Sequence, residues 1–582
     1  MNPQAQTASR GAWSASGAAL RVEAGTVAVA ALVVVALLAR LVGLDWMPLD
    51  PHEVAVSVPA WRAAQGAPGG AVTGAPLVFH AQQWLFWLLG GSDVQARLVG
   101  VLSGTALVAA AWALRPALGG PAALAAAALL ALSPVWVFAS RTVGGGTPAA
   151  LALVVVLALW ARAKRSHGVA LAVAGAATLA AGGPGLAFLV ALAAHAAIGW
   201  ARGRRRSDLE GAAARWGDTR ERRRLLLAFG LAFVLLATAA LTRLDGLAAA
   251  IEQPVAWLRA LSIGRGPAWS GFVLPLVAYA PVTAVFAAAG VVSALAGARP
   301  LERFVAVWAV VAAVLGLVAG TPAFVLEAAL PLTLAAAVAL GRLLEAVASR
   351  GRWAEDGVMS TILLAVVAYA GLQLFAFANA HDHAAGMAGP APMLAAGAML
   401  LGLLLFVTFL ILWGADVALR VAGVTALAAL SVVAWSNGTA LNYRPATELR
   451  EPLRPVYHAP GASVLARNVA AASWARTRDP HAWRVLAAGD LIPALGWPLR
   501  RHEVRWVGPR GTLEEPVVIT VSGTETSFGP APYRGRTHLV AGHWEPAFGT
   551  WHGFVRWWLQ RRSAPGASTP RMTGADLYII AE

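Results

Sequence analysis

Apolar runs long enough to cross a bilayer recur from residue 25 to residue 435, and no other feature constrains the fold of this chain as strongly. A helix rises 1.5 Å per residue, so a hydrocarbon core of about 30 Å needs about 20 mostly apolar residues. Such runs lie near 25–44, 97–114, 121–139, 147–161, 168–182, 185–200, 225–242, 271–296, 304–320, 323–341, 357–378, 391–413 and 417–435. They predict about thirteen spans; the pair flanking Gly182-Gly183-Pro184-Gly185 also reads as one bent element. Charged residues are only 13% of the 582, about half the share usual in soluble domains. That is too little polar surface for a soluble fold, and it excludes disorder and a coiled coil. The chain has no cysteine, which removes disulfides, thiolate metal sites and thiol nucleophiles.

The net charge of +16 would ordinarily suggest nucleic acid or anionic lipid. Most arginines, however, fall in short loops between apolar runs, where they orient the spans. With residues 1–24 as a cytoplasmic tail, one side collects Arg115, then Arg162, Lys164 and Arg165, then the run from Arg202 to Arg224. Arg299 and Arg303, then Arg342, Arg350 and Arg352, and finally Arg420 follow on that side, as the positive-inside rule requires. The segment 202–224 therefore reads as a topology anchor against lipid headgroups, with no nucleic-acid partner expected. The run at 25–44 exceeds a signal-peptide core and leads into Asp45-Trp46-Met47, so it reads as a retained first span.

An odd number of spans places residues 436–582 outside the cytoplasm. This tail is richer in Pro, Arg and His, and its apolar runs are short. Strands are predicted at Arg484–Ala488, Glu503–Val507, Val517–Val521, His538–Ala541 and Asp576–Ile580, with a helix at Gly553–Arg562. Asn437-Gly438-Thr439 has the three-residue pattern of a glycosylation sequon. The expected architecture is mainly α: a polytopic helix bundle over 25–435 and a small extracytoplasmic α/β domain over 436–582.

The first outer loop, residues 45–96, is unlike the others. It opens Asp45-Trp46-Met47-Pro48-Leu49-Asp50-Pro51-His52-Glu53, continues VAVSVPAWRAAQG, and reaches Pro76-Leu77 and the stretch FHAQQWLFWLLGG. Acids and a histidine at the mouth of a membrane protein need a reason, because charge near lipid is expensive. The Trp84–Leu89 region reads as an interfacial amphipathic helix. The order of features resembles the GT-C glycosyltransferases that use lipid-phosphate sugars: protein O-mannosyltransferases, aminoarabinose transferases of lipid A and their bacterial "family 39" relatives. The match is carried by the acidic motif after span one, AWRAAQG, Pro76-Leu77, the GSDVQARLVGVLSG start of span two, and Leu132-Ser133-Pro134 followed by Ser140-Arg141. More loosely, VLEAALPLTLAAAVAL around Pro331 is similar to a late span of a prokaryotic flippase-associated subgroup.

The resemblance implies a transferase using a polyprenyl-phosphate-linked sugar at the outer face, with an acid of the first outer loop as base or acceptor-orienting group. A carboxylate within reach of the acceptor hydroxyl contributes about 10²–10⁴-fold, and arginines facing the same cavity would stabilise the departing phosphate. Where relatives carry Asp-Glu this chain has His52-Glu53, with Asp50 two residues earlier. Three readings of the catalytic set Asp50, His52 and Glu53 stay open: Asp50 has taken over, His52 is the base, or the acid is lost. Arg97, Arg141, Arg243, Arg259 and Arg265 lie on the outer side, and Glu327 sits near the outer end of its run; of these, Arg97, Arg141, Arg259, Arg265 and Glu327 are the expected substrate contacts.

His381-Asp382-His383 is a weak metal signal and Gly144-Gly145-Gly146 lacks the lysine of a phosphate loop. No metal ligand or resident cofactor is assigned, and a divalent-metal requirement stays open. The expected partners are membrane lipid, a polyprenyl-phosphate-linked sugar donor and an extracytoplasmic acceptor. Two other function classes compete: a transporter of lipid-linked sugars, and a catalytically degenerate scaffold in envelope glycan assembly.

Overall fold

The structure, a computed structural model, describes residues 23–162, 167–201, 219–262, 269–295, 299–349, 353–380, 389–444, 450–508, 515–524, 532–562 and 570–581. Arg265, His381-Asp382-His383, Lys164, Arg165, Arg350, Arg352 and most of the arginine-rich segment 202–224 lie outside the described residues.

The membrane part comprises α1 (Ala24–Leu41), α2 (Pro51–Ala64), α3 (Pro76–Leu89), α4 (Asp93–Ala111), α5 (Gly120–Leu132), α6 (Pro134–Ser140), α7 (Gly146–Arg162), α8 (Gly168–Ala181) and α9 (Pro184–Ala201). It continues with α10 (Thr219–Ala237), α11 (Asp245–Ser262), α12 (Leu274–Tyr279), α13 (Pro281–Leu295), α14 (Pro300–Ala319), α15 (Pro322–Ser349), α16 (Trp353–Asn379), α17 (Ala391–Trp413) and α18 (Ala415–Tyr443). Among the described residues, 8 helices are long and apolar enough to cross a membrane, and up to 10 if each bent pair is one span. The shorter apolar helices α7 and α8, and α10 with its charged start, fill the remaining predicted runs. Helices thus stand at all the places where the sequence has apolar runs. The chain is a multi-pass membrane protein.

Two crossings break at prolines, which lack the N–H for the helical ladder and clash with the preceding turn. The α5–α6 pair bends by 60° at Pro134, and Trp269–Tyr279 bends by 96° against α13 at Pro281. At the first break Leu130 loses the N–H that residue 134 would have supplied. Arg40 of α1, fully buried, donates to the Leu130 carbonyl at 2.8 Å instead. Elsewhere the bundle packs through small residues that let backbones approach. A Cβ on Gly290 of α13 would stand 1.9 Å from the Ala335 carbonyl of α15. Gly290→Ala is therefore expected to cost about 1–3 kcal/mol through overpacking, read as a lower melting temperature in detergent.

The last span runs past residue 435 to Tyr443. Its polar residues turn inward: Asn437 donates to the Ala278 carbonyl at 2.7 Å, and Asn442 to the Pro134 carbonyl at 3.3 Å. The sequon asparagine is thus a buried helix-packing group.

The tail forms a 6-stranded mixed sheet of β1 (Val456–His458), β2 (Val485–Ala488), β3 (Val504–Val507), β4 (Val517–Val521), β5 (Tyr533–His543) and β6 (Arg571–Ile580), ordered β1-β5-β6-β4-β2-β3. β2 runs parallel to β3 and β4; the other pairings are antiparallel. All five predicted strands and the helix appear, the latter as α20 (Trp551–Gln560). β1 and α19 (Gly461–Thr477) have no counterpart in the sequence reading. Alternating Val485, Ala487, Val517 and Ile519 pack under Leu465 and Val469 of α19.

The sheet domain rests on the first loop. Trp497 packs against Phe86 of α3 at 5.7 Å between ring centroids and donates to Asp93 at 2.7 Å. The opposite face of α3 leaves Trp84, Trp87 and Leu88 exposed, as an interfacial helix would.

Candidate functional site

The sequence Asp50-Pro51-His52-Glu53 folds as a helix start because each residue suits it. Asp50 is the N-cap, Pro51 has the fixed φ of a first helical position, and Glu53 closes a capping box. The Glu53 N–H donates to Asp50 Oδ1 and the Asp50 N–H to Glu53 Oε2, each at 2.9 Å. This geometry sends the two acids different ways. Glu53 is fully buried and its oxygens are fully used: Arg97 donates to Oε1 at 2.8 Å and Oε2 at 2.7 Å, and the Val143 N–H to Oε1 at 2.9 Å. Burial alone would raise its pKa, but the Arg97 charge and hydrogen bonds, helped by Arg454, hold the carboxyl below its ordinary value.

Asp50 instead lines a cavity of about 610 Å³. Burial and the neighbouring Glu53 charge raise its pKa, against the pull of Arg454. His52 shares the cavity from an exposed position. The other walls are the Thr142–Gly146 turn, the Gly182–Pro184 turn, the first turns of α15 with Glu327, and Leu453–Val456, where the chain enters the sheet domain. Both glycine turns allow contacts that a Cβ would block: on Gly145 it would lie 1.7 Å from the Ala181 carbonyl, and on Gly183 2.4 Å from Glu327 Oε1. Glu327 faces the cavity and accepts from Trp257 Nε1 at 2.8 Å. Gly183→Ala is expected to push the Glu327 carboxylate aside while sparing the fold, read as a melting temperature in detergent close to that of the wild type.

The arginines fall otherwise than expected. Arg97 is buried and, besides gripping Glu53, donates to the carbonyls of Leu44, Met47 and Pro48. Arg141 gathers the carbonyls of Ala39, Arg40, Val42 and Gly43 at 2.6–3.3 Å, capping the electronegative end of α1, and lies over the Tyr443 ring. Arg243 pairs with Asp245 at 2.8 Å and donates to the Gly70 carbonyl, pinning the turn between α2 and α3. Arg259 is exposed on α11, away from the cavity walls. The guanidinium that does line the cavity is Arg454, which the sequence reading passed over. It is 6% exposed, and among the described residues its Nε has no hydrogen-bond partner and its Nη1 donates to the Met47 sulfur. A buried cation left short of acceptors beside an open chamber is arranged to receive an anion. Its signal in sequence was weak: one arginine in Arg450-Glu451-Pro452-Leu453-Arg454, far from the loop it serves.

No family model and no curated protein matches the sequence. Among solved structures, ArnT from Cupriavidus metallidurans bound to undecaprenyl phosphate is similar over 89% of this chain and 96% of that one, with a TM-score of 0.54 at 17% identity. The apo form of the Archaeoglobus fulgidus oligosaccharyltransferase matches 83% of this chain and 64% of that one, with a TM-score of 0.48 at 12% identity. The chain shares the overall fold of that ArnT structure.

Proposed function

We propose that the protein is a membrane glycosyltransferase that moves a sugar from a polyprenyl-phosphate-linked donor to an extracytoplasmic acceptor. The observation that carries this reading is a single chamber holding Asp50, Glu327 and Arg454 between the membrane helices and the sheet domain. Asp50 is the base: its carboxylate takes the acceptor hydroxyl proton as the oxygen attacks the anomeric carbon. Arg454 is the electrostatic partner of the departing phosphate, whose negative charge grows as the glycosidic bond breaks. Glu327 accepts hydrogen bonds from sugar hydroxyls, and His52 flanks the entrance. The similarity to a structure bound to undecaprenyl phosphate supports a lipid-linked donor. The placement of Arg115, Arg299, Arg303 and Arg420 at helix ends remote from the chamber supports an outward-facing site.

Transfer from a synthetic polyprenyl-phosphate hexose, with envelope lipids and glycans as the acceptor pool, tests the reading. Arg454→Gln is expected to lower kcat/KM for the donor by about ten- to a hundredfold, the size of one or two charge-assisted hydrogen bonds. Unchanged kcat/KM in that variant would remove Arg454 from the site. Transbilayer movement of the labelled lipid in vesicles without acceptor would favour a transporter instead.

A further inference from the structure

A second cavity, of about 400 Å³, lies between the sheet domain and the turn that joins α3 to α4. Pro48 and Leu49 form part of its wall while Asp50 lines the chamber described above, so one strand of the first loop separates the two spaces. We infer that this second cavity binds the phosphate group of a ligand distinct from the sugar donor, with Arg467 and Arg501 as its principal contacts.

The charge around it is one-sided. Arg467 of α19, Arg500 and Arg501 line it, opposed by one lining carboxylate, Asp93, which already accepts from Trp497 Nε1. Arg500 is a fixed part of the wall. It stacks on Trp497 at 3.8 Å from the ring centroid, donates to the carbonyls of Trp497 and Gly91, and among the described residues its buried Nε has no partner. Arg467 and Arg501 are exposed at the rim, and among the described residues neither has an ion-pair partner.

Three imidazoles line the cavity, those of His458, His481 and His502. His502, 8% exposed, lies edge-on to His481 with 3.4 Å between its Nε2 and His481 Nδ1, and among the described residues its buried Nδ1 has no partner. A buried donor without an acceptor, as Arg500 Nε is, is costly in a folded protein. A group presenting several anionic oxygens in different directions satisfies it together with the Arg467 and Arg501 guanidiniums. A phosphate does this, and guanidinium forks match its geometry. A planar carboxylate offers two oxygens to donors arriving from α19, the Trp497–His502 segment and His481, and fits less well.

The test reads binding alone, so its failure leaves the role of Asp50 untouched and the converse also holds. Full-length protein in neutral detergent is titrated calorimetrically with inorganic phosphate and, separately, with dihexanoyl phosphatidic acid. Dihexanoyl phosphatidylcholine serves as the zwitterionic control. Binding of phosphatidic acid alone identifies a lipid headgroup as the source, whereas binding of both probes identifies the phosphate group itself. In either case Arg467→Gln/Arg501→Gln should weaken binding by at least about tenfold. Arg467→Lys/Arg501→Lys should weaken binding less than the Gln pair does, because the charge is kept while the fork is lost. Absence of binding to both probes, or equal affinity in the Gln pair, overturns the inference. These side chains are at the rim, and an unchanged melting temperature verifies that the variants fold.

Discussion

Asp50→Asn is expected to slow sugar transfer by about 10²–10⁴-fold, the usual contribution of a positioned general base, and to leave the protein folded. The second half of that expectation follows from local chemistry. The structural duty of Asp50 is to accept the Glu53 N–H at the start of α2, and asparagine caps helices as well as aspartate does. The carboxyl has its pKa raised by burial and by Glu53, so its neutral form is the one the fold favours. The stability gained from holding that proton is fully present below the unfolded value of about 3.9 and is lost as pH rises through the folded value. A neutral amide at position 50 therefore does not destabilise the fold at neutral pH.

Activity is expected to have the opposite dependence, because Asp50 in the proposed role of base works only when ionised. The acid limb of the kcat/KM profile should lie above the ordinary aspartate value, and it should vanish from whatever residual rate Asp50→Asn retains. Full transfer by a well-folded Asp50→Asn protein would show that the chamber uses another base, with His52 the nearest alternative.

How far the sequence led depended on the range of the forces involved. Spans and strands follow from hydrophobic periodicity, which is local, so the thirteen runs and the five strands reappear as elements. The helix start at Asp50 was likewise written in Asp-Pro-x-Glu, a capping box with Pro51 at the first helical position. What an isolated chain does not display is which charges meet across it. Arg97 and Arg141 stood at the right ends of their spans, and both turned out to be spent on carbonyls and on Glu53. Their partners lie 44 to 102 positions away, at distances that no periodicity encodes. Arg454 enters the chamber only because the chain beyond α18 folds back over the first loop. β1 was too short to read: three residues, held by pairing with β5 rather than by any pattern of its own.

The sharpest consequence concerns Glu53, which adjoins His52 in the motif and yet does different work. Glu53→Gln is expected to cost about 3–5 kcal/mol of stability, the usual result of breaking a buried ion pair from one side. The amide would still accept from Asp50 N or Val143 N, but its NH₂ group would point donors at the Arg97 guanidinium, itself 2% exposed. Arg97 also holds the Leu44, Met47 and Pro48 carbonyls, so the strand that carries Asp50 into the chamber would loosen with it.

The pH dependence has the sign opposite to that of Asp50. The folded pKa of Glu53 is depressed, so its contribution is present above the unfolded value of about 4.3 and disappears as pH falls through the folded value. Wild type should lose stability in acid, and Glu53→Gln should lose much of that dependence. A double variant, Glu53→Gln/Arg97→Met, should be less destabilised than the sum of its single changes, because it no longer buries a lone cation. Denaturation in detergent across pH 3–7 measures all three proteins. If Glu53→Gln proved as stable as wild type while losing transfer, Glu53 would be a chemical group and its pairing with Arg97 incidental. If instead it unfolds early and its surviving folded fraction still transfers sugar, the chemistry belongs to Asp50 and the scaffold to Glu53.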